Sequence, residues 1–243
     1  MTVLAELRKE FGGDQFVYLG DTAHVPYGTK SPAQVRRLSV DCARTLRGHG
    51  VDVLVVACNT ASSLALPEIQ DAAGDAVKVV GVVVPGVHAV LEAHQRLGLA
   101  DAPALVLATR ATVRSGAYSK RLQVLGLPVL EQACPLLVPM IEEGWTDHPV
   151  LHQTIDEYVR EHRARHPRGV ALLGCTHYPW IQAAFERALP GWIVVNSAAA
   201  VAEHLKNHEG IQSSRGPGKV EWVFTDPEAI PAFAANQLSG GEK

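Results

Sequence analysis

No stretch of this sequence approaches the ~20 consecutive apolar residues that a membrane-spanning helix needs, so a helical membrane protein is not expected. The opening residues, Met1-Thr2-Val3-Leu4-Ala5-Glu6-Leu7-Arg8, lack the uninterrupted apolar core of a secretion signal. Cysteine is scarce. The four present show no short-range pattern, so the sequence reads as a reduced, cytoplasmic protein with no disulfide framework. An excess of positive charge is also missing: a formal net charge of −3 and a pI near 6.4 leave no electrostatic footprint for nucleic acid. Charged residues make up 19% against 47% hydrophobic, which argues against a disordered chain. The 243 residues have room for one large or two small domains, each with its own core.

What is present is an alternation of strand and helix signals. The sequence predicts strands at 15–20, 53–57, 77–84, 104–108, 128–132, 170–174, 192–196 and 220–225, with helices mostly between them. Thr2 to Phe11 places Val3, Leu4, Leu7 and Phe11 on one helical face. Ser31-Pro32 opens an amphipathic helix over 33–47, as a cap residue followed by proline at the first helical position. Further helices are expected over 61–73 and 227–237, a turn-rich loop over 210–219, and a frayed tail over 239–243. This rhythm predicts an α/β protein with parallel sheets.

Two segments stand out: Val53-Leu54-Val55-Val56-Ala57-Cys58-Asn59-Thr60 and Val170-Ala171-Leu172-Leu173-Gly174-Cys175-Thr176-His177. Each is an apolar run ending in cysteine, with threonine one or two residues on. An apolar run without alternation reads as a strand buried on both faces of a parallel sheet. Ligands bind beyond the carboxyl ends of such strands. Two thiols at two functional ends, one in each half of the chain, suggest acid–base chemistry done twice on one substrate. Both cysteines fall at a predicted strand-to-helix junction, where backbone N–H groups stabilise thiolate and a lowered pKa is expected. A buried structural cysteine explains either one alone about equally well; the repeated setting favours function.

Five segments then carry a resemblance. These are Gly20-Asp21-Thr22-Ala23-His24-Val25-Pro26-Tyr27-Gly28-Thr29-Lys30-Ser31, Ala57-Cys58-Asn59-Thr60-Ala61-Ser62, Thr112-Val113-Arg114-Ser115-Gly116-Ala117-Tyr118, Ala133-Cys134-Pro135-Leu136 and Leu173-Gly174-Cys175-Thr176-His177-Tyr178-Pro179. In this order they resemble the signature segments of the glutamate racemase family. Cys-Asn-Thr alone is shared by the wider aspartate/glutamate racemase superfamily, whereas Pro-Tyr-Gly-Thr-Lys-Ser together with Gly-Cys-Thr-His is specific to the glutamate branch.

The resemblance implies two similar Rossmann-like α/β domains, mainly parallel, with the active site in the interdomain cleft. It divides the chain into a discontinuous first domain, 1–84 plus 198–243, and a second domain, 85–197. It implies cofactor-independent interconversion of L- and D-glutamate for peptidoglycan synthesis, without metal. Cys58 would act on D-glutamate and Cys175 on L-glutamate, with Tyr27, Gly28, Asn59, Thr60, Thr112, Thr176 and His177 binding substrate. The expected partners are the small-molecule substrate and a second copy in a homodimer, with no nucleic acid and no membrane. Two alternatives stay open: a racemase of the same superfamily acting on aspartate or another amino acid, and a form without turnover that binds ligand or regulates.

One departure accompanies the resemblance. The family opens with a strand and a turn approximating Phe-Asp-Ser-Gly-x-Gly-Gly-Leu before Thr-Val-Leu; here Met1 stands in place of that leucine, before Thr2-Val3-Leu4. The expectation is either a start codon lying upstream, which is favoured because the remaining site is intact, or a true truncation with impaired folding and little activity. No residue of the given sequence can take the roles of the acidic turn that the family places beside Cys58.

Other residues have plainer readings. Cys42 and Cys134 read as packing, and Arg110 and Arg114 as surface charges. Glu142-Glu143 fit a cleft wall or an exposed helix start equally well. The i,i+4 pairs His148/His152, His162/His166 and His204/His208 are read as solvent-exposed histidines, since no cysteine or carboxylate completes a metal set at recognisable spacing.

Overall fold

The computed structural model describes residues 1–98 and 101–230. The chain opens with helix α1 (Thr2–Glu10), which buries Val3, Leu4 and Leu7, and passes into β1 (Gln15–Gly20). Helix α2 (Pro32–Gly48) starts where the sequence predicts. Ser31 caps it, and the Gln34 side chain bonds back to the Ser31 backbone in a reciprocal capping box. Strand β2 (Val53–Val56) follows. The single helix expected over 61–73 is two, α3 (Asn59–Leu64) and α4 (Leu66–Ala73), broken at Ala65 because Pro67 cannot continue a helix interior but fits a new first turn. The apolar run 77–84 also divides: β3 (Lys78–Gly81) ends, and α5 (Val83–Leu97) begins within it.

Beyond come β4 (Ala104–Ala108), α6 (Arg110–Ser115), α7 (Ala117–Val124), β5 (Val129–Ala133), α8 (Leu137–Glu142), α9 (Pro149–Arg165), β6 (Gly169–Gly174), α10 (Gln182–Ala188), β7 (Trp192–Asn196), α11 (Ser197–Asn207) and β8 (Lys219–Phe224). Of the helix expected over 227–237, the described residues form a 3-10 turn, Pro227–Ala229, with extended backbone at Ile230. The remainder of that segment and the tail at 239–243 lie outside the described residues.

Every strand pairing among the described residues is parallel. The second half forms one four-stranded sheet in the order β5-β4-β6-β7. Its central strands are buried throughout. Leu105, Leu107, Ala171 and Leu173 join the core on one face; Ala104, Val106, Ala108, Val170 and Leu172 join the core on the other. The first half is built differently, as two separate two-stranded sheets, β1-β8 and β2-β3. The pairing of β8 with β1 brings the C-terminal segment back to the first half.

This corrects one expectation. The apolar run ending at Cys175 is buried on both faces, but the run ending at Cys58 is not: Leu54 and Val56 are buried while Val53 and Val55 are only partly so. Among the described residues strand β2 pairs with β3 alone, and Leu54, Val55 and Val56 border a cavity. Among the described residues no helix is long and apolar enough to cross a membrane.

Candidate active site

Cys58 and Cys175 line one cavity of about 350 Å³ at the carboxyl ends of β2 and β6. The first half contributes Asp21, Tyr27 and Cys58 to its wall; the second contributes Thr109, Cys134, Glu142, Cys175 and His177. A negative charge on Cys175 pushes the Cys58 pKa up, so the two sulfurs feel one another across this space.

Cys58 sits at the N-cap of α3. Its thiol pKa is raised to about 11, chiefly by burial, although the backbone N–H groups of Ala61 and Thr60 and the Thr60 side chain pull the other way. The lowered value expected from the helix terminus is therefore not found: loss of hydration outweighs a short helix's dipole. The residues after it are tied to the second half. Asn59, buried, donates its side-chain amide to Ser197 Oγ at 3.2 Å and accepts a 2.5 Å hydrogen bond from the Tyr118 hydroxyl. The Thr60 hydroxyl meets those of Thr109 at 3.0 Å and Thr112 at 3.2 Å.

Cys175 follows β6, and its Sγ lies 3.8 Å from His177 Nδ1. The other ring nitrogen, Nε2, is 3.3 Å from Glu142 Oε1. Burial disfavours charge on His177, but Cys175 and Glu142 outweigh it and set its pKa at about 9, so the ring is cationic near neutrality. Glu142 stands at the end of α8 and on the cavity wall, which decides between the two readings the sequence allowed. Thr176 lines the cavity as well, with its carbonyl accepting from the Thr2 hydroxyl at 2.8 Å.

Tyr27 and Gly28 lie in a 3-10 turn that borders the cavity. The Tyr27 hydroxyl donates to Asp21 Oδ2 at 2.5 Å. Burial would raise the Asp21 pKa, but bonds from His24, Tyr27 and Thr225 hold it below the usual carboxylate range. Gly28 packs directly on the second half, where an added Cβ would stand 2.6 Å from Thr109 Cβ. Thr112 is placed differently from the rest: it is fully buried behind Thr60 and Thr109 and is not on the cavity wall, where Thr109 stands instead. Arg110 is exposed yet borders the cavity. Cys42, on α2, also reaches the wall, and Cys134, on the wall as well, is fully buried as part of the core.

Residues 2–205 match the Asp/Glu/Hydantoin racemase family model. The chain belongs to this family. Within it, the chain is 39% identical over 228 residues to the glutamate racemase of Aquifex aeolicus, covering 93% of this chain and 84% of that one. The crystal structure of Thermus thermophilus glutamate racemase with beta-chloro-D-alanine superposes with a TM-score of 0.82 at 38% identity, over 97% of this chain and 88% of that one. Francisella tularensis glutamate racemase in complex with D-glutamate superposes with a TM-score of 0.84 at 27% identity, over 97% and 86% of the two chains. Family membership fixes the fold class as mixed α/β with parallel sheets and the enzyme class as an amino-acid racemase.

Proposed function

We propose that this chain interconverts L- and D-glutamate by proton transfer at Cα, with Cys58 and Cys175 as the two acid–base groups, and that it supplies D-glutamate for peptidoglycan. The observation that carries the reading is the single cavity into which thiols from the two halves of the chain both open.

In the forward turn one thiolate takes the α-proton. The Cα–H bond breaks, an S–H bond forms, and the electron pair stays on Cα, delocalised into the adjacent carboxylate. The thiol on the opposite face then gives its proton to Cα, inverting the centre and leaving itself as the thiolate. Cys58, with its pKa of about 11, rests as the thiol and is suited to donate. On this assignment Cys175 takes the proton of L-glutamate and Cys58 that of D-glutamate. Cationic His177 supplies counter-charge to sulfur at Cys175, and Glu142 holds that ring in place. The α-proton is weakly acidic, and general acid–base catalysis contributes only ~10²–10⁴ in rate. Positioning and electrostatic stabilisation in a secluded site must supply the remainder.

Tyr27, Gly28, Asn59, Thr60, Thr176 and His177 are the proposed substrate contacts, and neutral donors among them hold carboxylates without a competing base near Cα. Asn59 has one amide hydrogen left after Ser197, so its contact with substrate is limited to that donor and its oxygen's second lone pair. Thr112, behind Thr60, is proposed to orient the Thr60 hydroxyl. The division of the chain at 84 and 198, a cytoplasmic setting and a homodimer belong to the same proposal. The test is exchange of the glutamate α-proton in D₂O, followed by NMR. Deuterium entering both enantiomers at a catalytic rate is expected. Exchange on aspartate but not glutamate, or on neither, would overturn the reading.

A further inference from the structure

Outside the cavity, three histidines converge where α5 meets α11. His204 and His208 are one helical turn apart at the end of α11, and His88 faces them from α5. Ring centroids lie 5.3 Å apart for His88 and His204, 5.0 Å for His88 and His208, and 5.0 Å for His204 and His208. One ring nitrogen from each falls within 4.8 Å of the others.

Ring packing accounts for the spacing but not for the nitrogens. His88 Nδ1 and His204 Nδ1 are both buried and have no hydrogen-bond partner among the described residues. A buried lone pair left unmatched is costly, and two in one cluster call for a shared partner. The opposite nitrogen of His204, Nε2, is 3.3 Å from Glu209 Oε1, and Glu209 is itself anchored by Lys78 Nζ at 2.5 Å. This is the carboxylate–histidine arrangement that fixes an imidazole's tautomer and turns its other nitrogen toward a metal. His208 is exposed and opens a path from solvent.

We propose that His88, His204 and His208 form a binding site for a divalent zinc ion, ligated through the unpartnered Nδ1 atoms of His88 and His204 and one ring nitrogen of His208, with solvent in the fourth position. Three imidazoles with an open position suit zinc among divalent ions. Nitrogens in a tetrahedral zinc site stand roughly 3.3 Å apart for bonds of about 2.0 Å, so binding draws the rings together. None of the three lines the thiol cavity. The site instead clamps the end of α11 to α5, while Ser197, at the start of α11, holds Asn59 beside Cys58. The sequence offered only the His204/His208 pair and read it as exposed. His204 is in fact 7% exposed, and His88 comes from a distant segment.

Cysteine thiols also take zinc, so the test uses the full chain carrying Cys58→Ser and Cys175→Ser, stripped with chelator and titrated with ZnCl₂ by calorimetry. The proposal expects one equivalent bound and a rise in thermal unfolding temperature. It also expects a loss of affinity beyond the 10–100-fold typical of outer-shell changes on His88→Ala or His208→Ala. His208 is exposed, so His208→Ala is expected to fold, and circular dichroism checks this. Cobalt substitution should give tetrahedral absorption without a sulfur charge-transfer band. Absence of saturable binding, or unchanged affinity in folded His208→Ala, overturns the site.

Discussion

The Tyr118 hydroxyl donates to Asn59 Oδ1 at 2.5 Å, joining α7 of the second half to the residue that follows Cys58 in the first. Both groups are buried, and burial raises the Tyr118 pKa, so the hydroxyl remains a donor across the working range. Tyr118→Phe should cost about 1–3 kcal/mol, the range for leaving a buried acceptor unmatched. Urea unfolding measures this. In a double-mutant cycle, Tyr118→Phe should add little on top of Asn59→Ala, since both remove one contact; full additivity would show that the bond contributes nothing.

For the two thiols, Cys58→Ala and Cys175→Ala are each expected to reduce racemisation at least ~10²-fold, the lower bound for losing a general acid or base. Circular dichroism of the product enantiomers follows this directly. Full activity in either variant would refute a two-thiol reaction.

His177 predicts a pH dependence with a definite sign. Its pKa in the folded chain is about 9, above the ordinary 6.5, so its stabilising contribution is complete below pH 6.5 and lost as pH rises through about 9. The full contribution is roughly 3 kcal/mol at 1.36 kcal/mol per pKa unit. Denaturant unfolding at several pH values should show this decline in the native chain and a flatter profile in His177→Asn.

Glu142→Gln keeps a polar group beside His177 but removes the charge that supports its proton. The His177 pKa should fall, and the alkaline limb of the activity profile should move to lower pH. An unmoved limb would mean that Glu142 does not tune the site.

Gly28 marks where the two halves touch. Gly28→Ala would bring a Cβ to 2.6 Å from Thr109 Cβ, a contact that the backbone must yield to relieve. A loss of about 1–3 kcal/mol is expected, as for overpacked sites, together with a raised KM for glutamate because Tyr27 and Thr109 shift. Thermal unfolding and steady-state kinetics separate the two effects.

The sequence by itself determined the strand and helix alternation, the capping at Ser31 and the placement of Cys58 and Cys175 at the ends of two apolar runs. All of these rest on local periodicity and neighbouring residues. It also marked Tyr27, Gly28, Asn59, Thr60, Thr176 and His177, which now line one cavity. Only the tertiary structure decided what depends on distant segments: that Glu142 rather than solvent meets His177, that Tyr118 holds Asn59, that Thr112 stands behind the wall, and that His88 joins His204 and His208. The same holds for the Cys58 thiol. A helix start lowers a thiol pKa and is visible in sequence, but desolvation raises it and is the sum of everything the fold packs around the sulfur.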